Sequence, residues 1–245
     1  MAQNQNQHSK IEKNLFILLV LVVIVASIGG MVQILPLFKK EVAIEVVDSG
    51  RPYTPLELLG FDIYKREGCY GCHSQQIRTL RDEVERYGHY SIAAESQYDF
   101  PFAWGSKRTG PDLARVGEKY SDDWHVEHIY NPRSVVPESI MPGYPFMLNS
   151  VLKFDELKRK MEILKSLGVP YTDEDIENFY DDMKMQLALV EDQNARESFE
   201  KRYPKAKIRK FNKKSSEITE MDAIIGYLQS LGTKLDLKTN KGRRW

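Results

Sequence analysis

The two cysteines of the chain stand at Cys69 and Cys72, and His73 follows at once, giving Cys69-Tyr70-Gly71-Cys72-His73. C-x-x-C-H is the spacing of c-type haem attachment: each thiol forms a thioether to one vinyl group, and the adjacent histidine is held beneath the iron. One haem uses both thiols. Three other uses of a C-x-x-C pair compete with this one: a structural disulfide, half of a zinc site, and a thioredoxin-like redox pair. A zinc ribbon needs a second Cys or His pair at close spacing, and a redox pair belongs beside a βαβ pattern. Neither accompanies this motif, so one covalently bound haem c is expected.

From Leu15 to Phe38 there is no charged residue, and Leu15 to Val25 is an unbroken run of Leu, Ile, Val and Phe. As a helix this stretch reaches about 36 Å, enough to cross a hydrocarbon core of roughly 30 Å. A cleaved signal peptide has an apolar region of only about 7–15 residues. Ala26-Ser27-Ile28 is a poor cleavage pattern besides, so an uncleaved transmembrane anchor over 15–38 is expected. Lys10 and Lys13 on one side balance Lys39 and Lys40 on the other, so charge leaves the orientation tied. The haem motif breaks the tie, because thioethers are formed on the outer side of the bacterial cytoplasmic membrane. Residues 1–14 are therefore expected to be a cytoplasmic tail, 39–52 a linker, and 53–233 a periplasmic mono-haem domain, with a basic tail at 234–245.

Lys plus Arg number 35 and Asp plus Glu number 35, so net charge offers no argument for nucleic acid. The balance conceals one block: eight basic residues and no acidic one between Lys201 and Lys214. A docking surface for an acidic partner or lipid headgroups fits such a block, but a solvated basic segment is the expected reading.

Past the anchor the pattern is helical. Thr54-Pro55-Leu56-Glu57 supplies a cap, a proline at the first helical position and a capping-box glutamate, and the helix is expected to run into the haem motif. Thr219-Glu220-Met221-Asp222 opens a second helix with an apolar stripe from Met221 to Leu231, stopped by Gly232. Alternating strand patterns are lacking, so the class is all-α. Gly60 and Gly226 suit a close crossing of these two helices, with Tyr64 and Tyr227 alongside. The segment 150–216 is rich in Lys and Glu and reads as a charged insertion, with Thr172 as a cap within it.

A sixth iron ligand is sought among the methionines. Met141 lies in the proline-stiffened Ser139-Ile140-Met141-Pro142-Gly143-Tyr144-Pro145 loop and is the favoured ligand, with Met147 second and Met31 a further candidate. His–Met ligation raises the potential and closes the iron to substrate, which means electron transfer. Pro111 has a carbonyl without a competing N–H, suited either to the Nδ1–H of His73 or to an ordinary turn. Arg78, Arg108 and Trp104 are candidates for compensating haem propionates. His89, His125 and His128 have no carboxylate or Cys cluster around them, so no further metal site is expected.

These stretches together resemble one family, the membrane-anchored mono-haem subunit (subunit II, or O) of cbb3-type cytochrome c oxidases. The resemblance runs through Cys69–Arg78, Glu85–Ser91, Trp104–Gly117 and Asn131–Ser139 into Met141-Pro142, and includes the last helix. It implies a class I cytochrome c-like domain, His73 and Met141 as axial ligands, and the Pro111 carbonyl as partner of His73. It further implies that the chain passes electrons between a di-haem cytochrome c subunit and a catalytic subunit carrying haem b and a haem–copper centre. That catalytic subunit reduces oxygen to water and pumps protons; this chain would carry electrons and have no turnover site of its own. Arg108 and Trp104 would then face either the propionates or the catalytic subunit.

Overall fold

Two compact units divide the chain, Met1–Val46 and Val47–Trp245, and the computed structural model describes residues 2–38, 44 and 50–235. Lys39, Lys40, most of the expected linker and the basic tail beyond Leu235 lie outside the described residues.

In the first unit α1 (Ala2–Lys13) is followed by α2 (Leu15–Ile34), and a 3₁₀ turn continues over Leu35–Phe38. Asn14 separates the helices and caps the second, its side chain accepting from Ile17 N at 3.2 Å. The span Leu15–Phe38 has a mean hydropathy of 3.0 with no part of that window buried. An exposed helix that is apolar all round suits lipid surroundings rather than water.

The second unit is helical throughout. Its helices are α3 (Pro55–Arg66), α4 (Arg81–Tyr87), α5 (Asp122–Tyr130), α6 (Pro132–Val135), α7 (Leu157–Ser166), α8 (Asp173–Glu177), α9 (Phe179–Gln186), α10 (Gln193–Arg202) and α11 (Glu220–Ser230). No strand forms among the described residues; Val151 and Thr219 share a single antiparallel bridge. Both capping boxes are present, at Thr54 with Glu57 and at Thr219 with Asp222, as is that of Thr172 with Asp175. The first helix stops short of the haem motif. It ends at Arg66, and Gly68, at φ 69°, turns the chain before Cys69.

The crossing of α3 and α11 organises the core. A Cβ on Gly60 would lie 2.0 Å from Ala223 O and 2.6 Å from Tyr227 Cβ, so backbone approaches backbone here and only hydrogen fits. Gly226 is less demanding, since its nearest neighbours are side-chain atoms of Leu56 and Phe211 at 3.3 Å. Tyr53, Phe61 and Tyr64 gather around Tyr227 with ring centroids 5.4–5.7 Å apart. Each such buried side chain contributes roughly 1.5–3 kcal/mol of transfer free energy.

The segment 150–216, read from its composition as a charged insertion, carries helices of its own. It folds into α7 to α10, and Met161, Met183, Leu187, Phe199 and Phe211 enter the common core without exposure. Leu157, Met161 and Leu164 show how: an i, i+4, i+7 stripe is buried while the charges between face outward. Polar locks hold the layer down. Thr54 Oγ1 donates to Gln186 Oε1 at 2.6 Å. Arg51 donates to Pro204 O at 2.9 Å and pairs with the buried Glu57 through two bonds of 2.7 and 2.8 Å.

The basic block also departs from expectation. Arg202 clasps Asp182 at 2.6 and 2.8 Å, Arg209 clasps Asp122, and Lys210 meets the buried Asp222 at 3.0 Å. Lys207 pairs with Glu118 at 2.6 Å, Lys213 with Asp123 at 3.2 Å, and Lys214 with Glu127. Six of the eight cations therefore close on acids of the same unit, several on the acidic face of α5. The acids that satisfy them lie up to 90 residues away, which local sequence does not reveal.

Candidate functional site

Gly68 in its left-handed conformation delivers Cys69–Gly71 into a 3₁₀ turn, and the amides of Cys72 and His73 both donate to Cys69 O, at 3.1 and 2.9 Å. Two free thiols and an imidazole thus share one tight turn. Cys72 is exposed. Cys69 is half-buried and packs against the core. Burial, and next Glu67, push the Cys69 thiol up to about 11. A redox C-x-x-C needs the opposite, a thiol pKa lowered by nearby positive charge. Among the described residues no three His, Cys, Asp or Glu side chains gather as a metal-ion site.

His73 is fixed from two directions. Its Nδ1 lies 2.8 Å from Pro111 O. A carbonyl only accepts, so Nδ1 carries the proton and Nε2 keeps its lone pair. Gly110 lies against the flat of the ring: a Cβ there would come within 2.2 Å of Cε1 and 2.8 Å of Nε2. Gly110 N in turn donates to Cys72 O at 3.0 Å. The Gly-Pro pair therefore sets both the rotation and the tautomer of the imidazole.

The next residues bind the two segments together. Asp112, buried, accepts from Ser74 Oγ at 2.6 Å, Gln76 N at 2.9 Å and Ala114 N at 2.8 Å, while Leu113 N donates to Ser74 O at 2.8 Å. Arg108 donates to Ser74 Oγ at 2.7 Å, to Gln76 O at 2.9 Å and to Glu83 at 2.7 Å. Arg78 also pairs with Glu83. The hydrogen bond from Arg108, with those from Arg78, holds the Glu83 carboxyl down at about 2. Trp104 donates its indole N–H to Ser96 Oγ at 2.9 Å, and its carbonyl accepts from Gln75 N at 2.6 Å. Arg108 and Trp104 thus brace the chain just after His73, with these donors spent inside the protein. Glu83, Asp112 and Ser74 are members of the site that sequence reasoning did not single out. Only Asp112 carried a local signal, as a short acid in a Gly-Pro turn.

Met141 is half-buried, with its amide donating to Ser139 Oγ at 3.2 Å. Its loop is anchored to the end of α5, where Tyr144 N donates to Ile129 O at 2.8 Å and a Cβ on Gly143 would lie 2.8 Å from Tyr130 O. Tyr144 lies near both thiols: burial first, then Cys69, raise its phenol. Met147, the second candidate, belongs to the core with 2% exposure. Met31 lies in the other unit. Tyr120, just before α5, stacks on Trp124 at 4.0 Å, and Trp124 stacks on His128 at 4.5 Å. Burial, and then the His73 imidazole, lower the His128 pKa. His125 is buried, and its pKa falls to about 4 by desolvation. His89 bonds Tyr90 O at 2.7 Å in an exposed position.

Two free thiols in the turn before an imidazole whose Nδ1 is held by a carbonyl form a donor set that fits a covalently held haem. Comparison with individually curated proteins gives no match. The family model described as "Cytochrome C oxidase, mono-heme subunit/FixO" matches residues 8–235, and the chain therefore belongs to the mono-haem subunit family of cytochrome c oxidase.

Proposed function

We propose that this chain is the electron-carrying subunit of a cbb3-type oxidase, holding one haem c through thioethers to Cys69 and Cys72. His73 Nε2 and the Met141 sulfur are its axial ligands, and the Pro111 carbonyl keeps His73 in the ligating tautomer. Bound there, the haem supplies a one-electron couple whose His–Met ligation favours transfer over substrate chemistry. The observation that carries this reading is the 2.8 Å contact of His73 Nδ1 with Pro111 O over the Gly110 cradle. Arg108 and Trp104 serve the cofactor by fixing Ser74 to Gln76. The unburied apolar helix Leu15–Phe38 supports a single-pass inner-membrane anchor, with the N-terminus cytoplasmic and the haem domain periplasmic. Electrons then arrive from a di-haem cytochrome c subunit and leave for a catalytic subunit with haem b and a haem–copper centre.

Denaturing electrophoresis of the tagged chain tests the attachment, because a thioether-linked haem stays with the polypeptide. Haem staining of wild type and its loss in Cys69→Ala plus Cys72→Ala is the expected result. Wild type without stain refutes the proposal. Met141→Leu should keep the stain while losing the low-spin spectrum of the wild type; an unchanged spectrum removes Met141 as ligand. Gly110→Ala, which drives a methyl group into the His73 ring, should lower haem retention.

A further inference from the structure

The core beneath the haem turn is not wholly apolar. Tyr64 OH donates to His73 O at 3.2 Å. Gln75 Nε2 donates to Tyr227 OH at 2.8 Å. Tyr227 packs against the Tyr53 ring with centroids 5.7 Å apart, and Gln75 and Tyr53 line one cavity with Asp99. The chain that follows His73 thus reaches, at Gln75, the wall of a cavity that holds a buried carboxyl.

Asp99 is 4% exposed, and its Oδ1 has no protein partner. It lines a cavity of about 30 Å³. Lys234 lines the same cavity, its ammonium 3.6 Å from the centre of the Tyr53 ring. A polar space of that size, bordered by an orphaned carboxylate oxygen and an ammonium, suits one ordered water. Tyr53 and Ser96 line the cavity with Asp99, and Lys234 and Lys65 act on it as positive charges. Tyr227 acts on it from α11. The remaining charges at the cavity, Glu95 and Arg115, are closed on each other at 2.7 Å.

We propose that Asp99 is a redox-linked proton site, taking one proton from solvent through this cavity when an electron reaches the haem and releasing it when the electron leaves. This rests on the haem assignment above. The step balances: the oxidase chain's own donor supplies the electron, the iron site loses one positive charge, and carboxylate plus one proton becomes a carboxylic acid. Burial drives Asp99 upward against the pull of Lys234, and drives Lys234 downward. In so poorly polarisable a setting, loss of a nearby positive charge tips the carboxylate toward protonation.

Redox titration of the full-length haem-loaded chain in detergent, followed by c-type absorbance over a pH series, tests this. The wild-type potential should fall as pH rises through the window where Asp99 titrates, and level out on either side. A tenfold gain in proton affinity on reduction would separate the two plateaus by about 59 mV. Asp99→Asn should be flat over that window. A flat wild type, or a slope kept in Asp99→Asn, overturns the proposal. Should Asp99→Asn fail to load haem, the reduced-minus-oxidised infrared spectrum of wild type decides. A protonated carboxyl band that appears on reduction, shifts in heavy water and moves in Tyr53→Phe supports Asp99; its absence overturns it. A wild type without c-type absorbance is a different failure, of the haem assignment itself.

Discussion

Replacing Gly60 with alanine puts a methyl carbon 2.0 Å from Ala223 O, where a carbon–oxygen contact needs about 3.3 Å. The obstacle is main chain on the opposite helix, so no rotamer change relieves it; α3 and α11 must separate by more than an ångström. Overpacking of this kind costs typically ~1–3 kcal/mol, and a backbone clash belongs at the upper end. Alanine returns about 1 kcal/mol through its helix propensity. The net expectation is a loss of about 2 kcal/mol, or roughly 4–8 °C in melting temperature for a domain of this size. Gly226→Ala is the control on the same seam. Its nearest neighbours, at 3.3 Å, are side-chain atoms of Leu56 and Phe211, so crowding and propensity should cancel to within about 1 kcal/mol. Melting of both detergent-solubilised, haem-loaded variants by circular dichroism gives the comparison. Gly60→Ala as stable as Gly226→Ala would refute the reasoning.

The buried His125 binds its proton only at about 4, against 6.5 in the unfolded chain. The unfolded state therefore takes up protons first, and stability should decline as pH falls from 6.5 toward 4, by about 3 kcal/mol in total. Acid melts of His125→Leu should be flatter across that interval; an equally steep profile would rule His125 out. Glu83, held at about 2 by Arg108 and Arg78, stabilises the fold fully above its ordinary value of 4.5 and loses that contribution as pH drops toward 2. Glu83→Gln should remove the dependence in that lower window, and Arg108→Gln should weaken it. Arg51→Met strands the buried Glu57 carboxylate and should cost ~3–5 kcal/mol in denaturant titration. Adding Glu57→Gln should recover much of that loss, because the amide keeps the cap on Thr54 N without the charge.

What could be read in the chain was local. Thr54 with Glu57 and Thr219 with Asp222 announce helix starts because capping needs only three residues of separation. C-x-x-C-H carries its chemistry in five residues, and a charge-free run needs only its length to mark the apolar helix. Gly60 was a candidate for the crossing, but nothing in the sequence distinguishes it from the far more forgiving Gly226. The core residues of segment 150–216 are hard to read because Lys and Glu dilute them: α7 buries Leu157, Met161 and Leu164 between charges that composition counts equally. Arg108 looked like a charge waiting for a cofactor, and its partner Glu83 is 25 residues away, found only once the chain has folded. The cavity shared by Gln75, Tyr53 and Asp99 was equally invisible, since a buried tyrosine also reads as an ordinary core ring.

The pairing of Lys207, Arg209, Lys210, Lys213 and Lys214 with acids of their own unit has a bearing on how salt effects should be interpreted. Electron delivery between acidic and basic proteins ordinarily slows as ionic strength rises, and a lysine-rich stretch invites that explanation. Here the cations are already occupied, so they offer little long-range attraction to an incoming donor. Added salt instead competes with the exposed members of the clamp, loosening 201–214 from α5, the helix whose far end anchors the Met141 loop. Ionic strength would then register first as a change within the subunit, and only afterwards as weaker encounter.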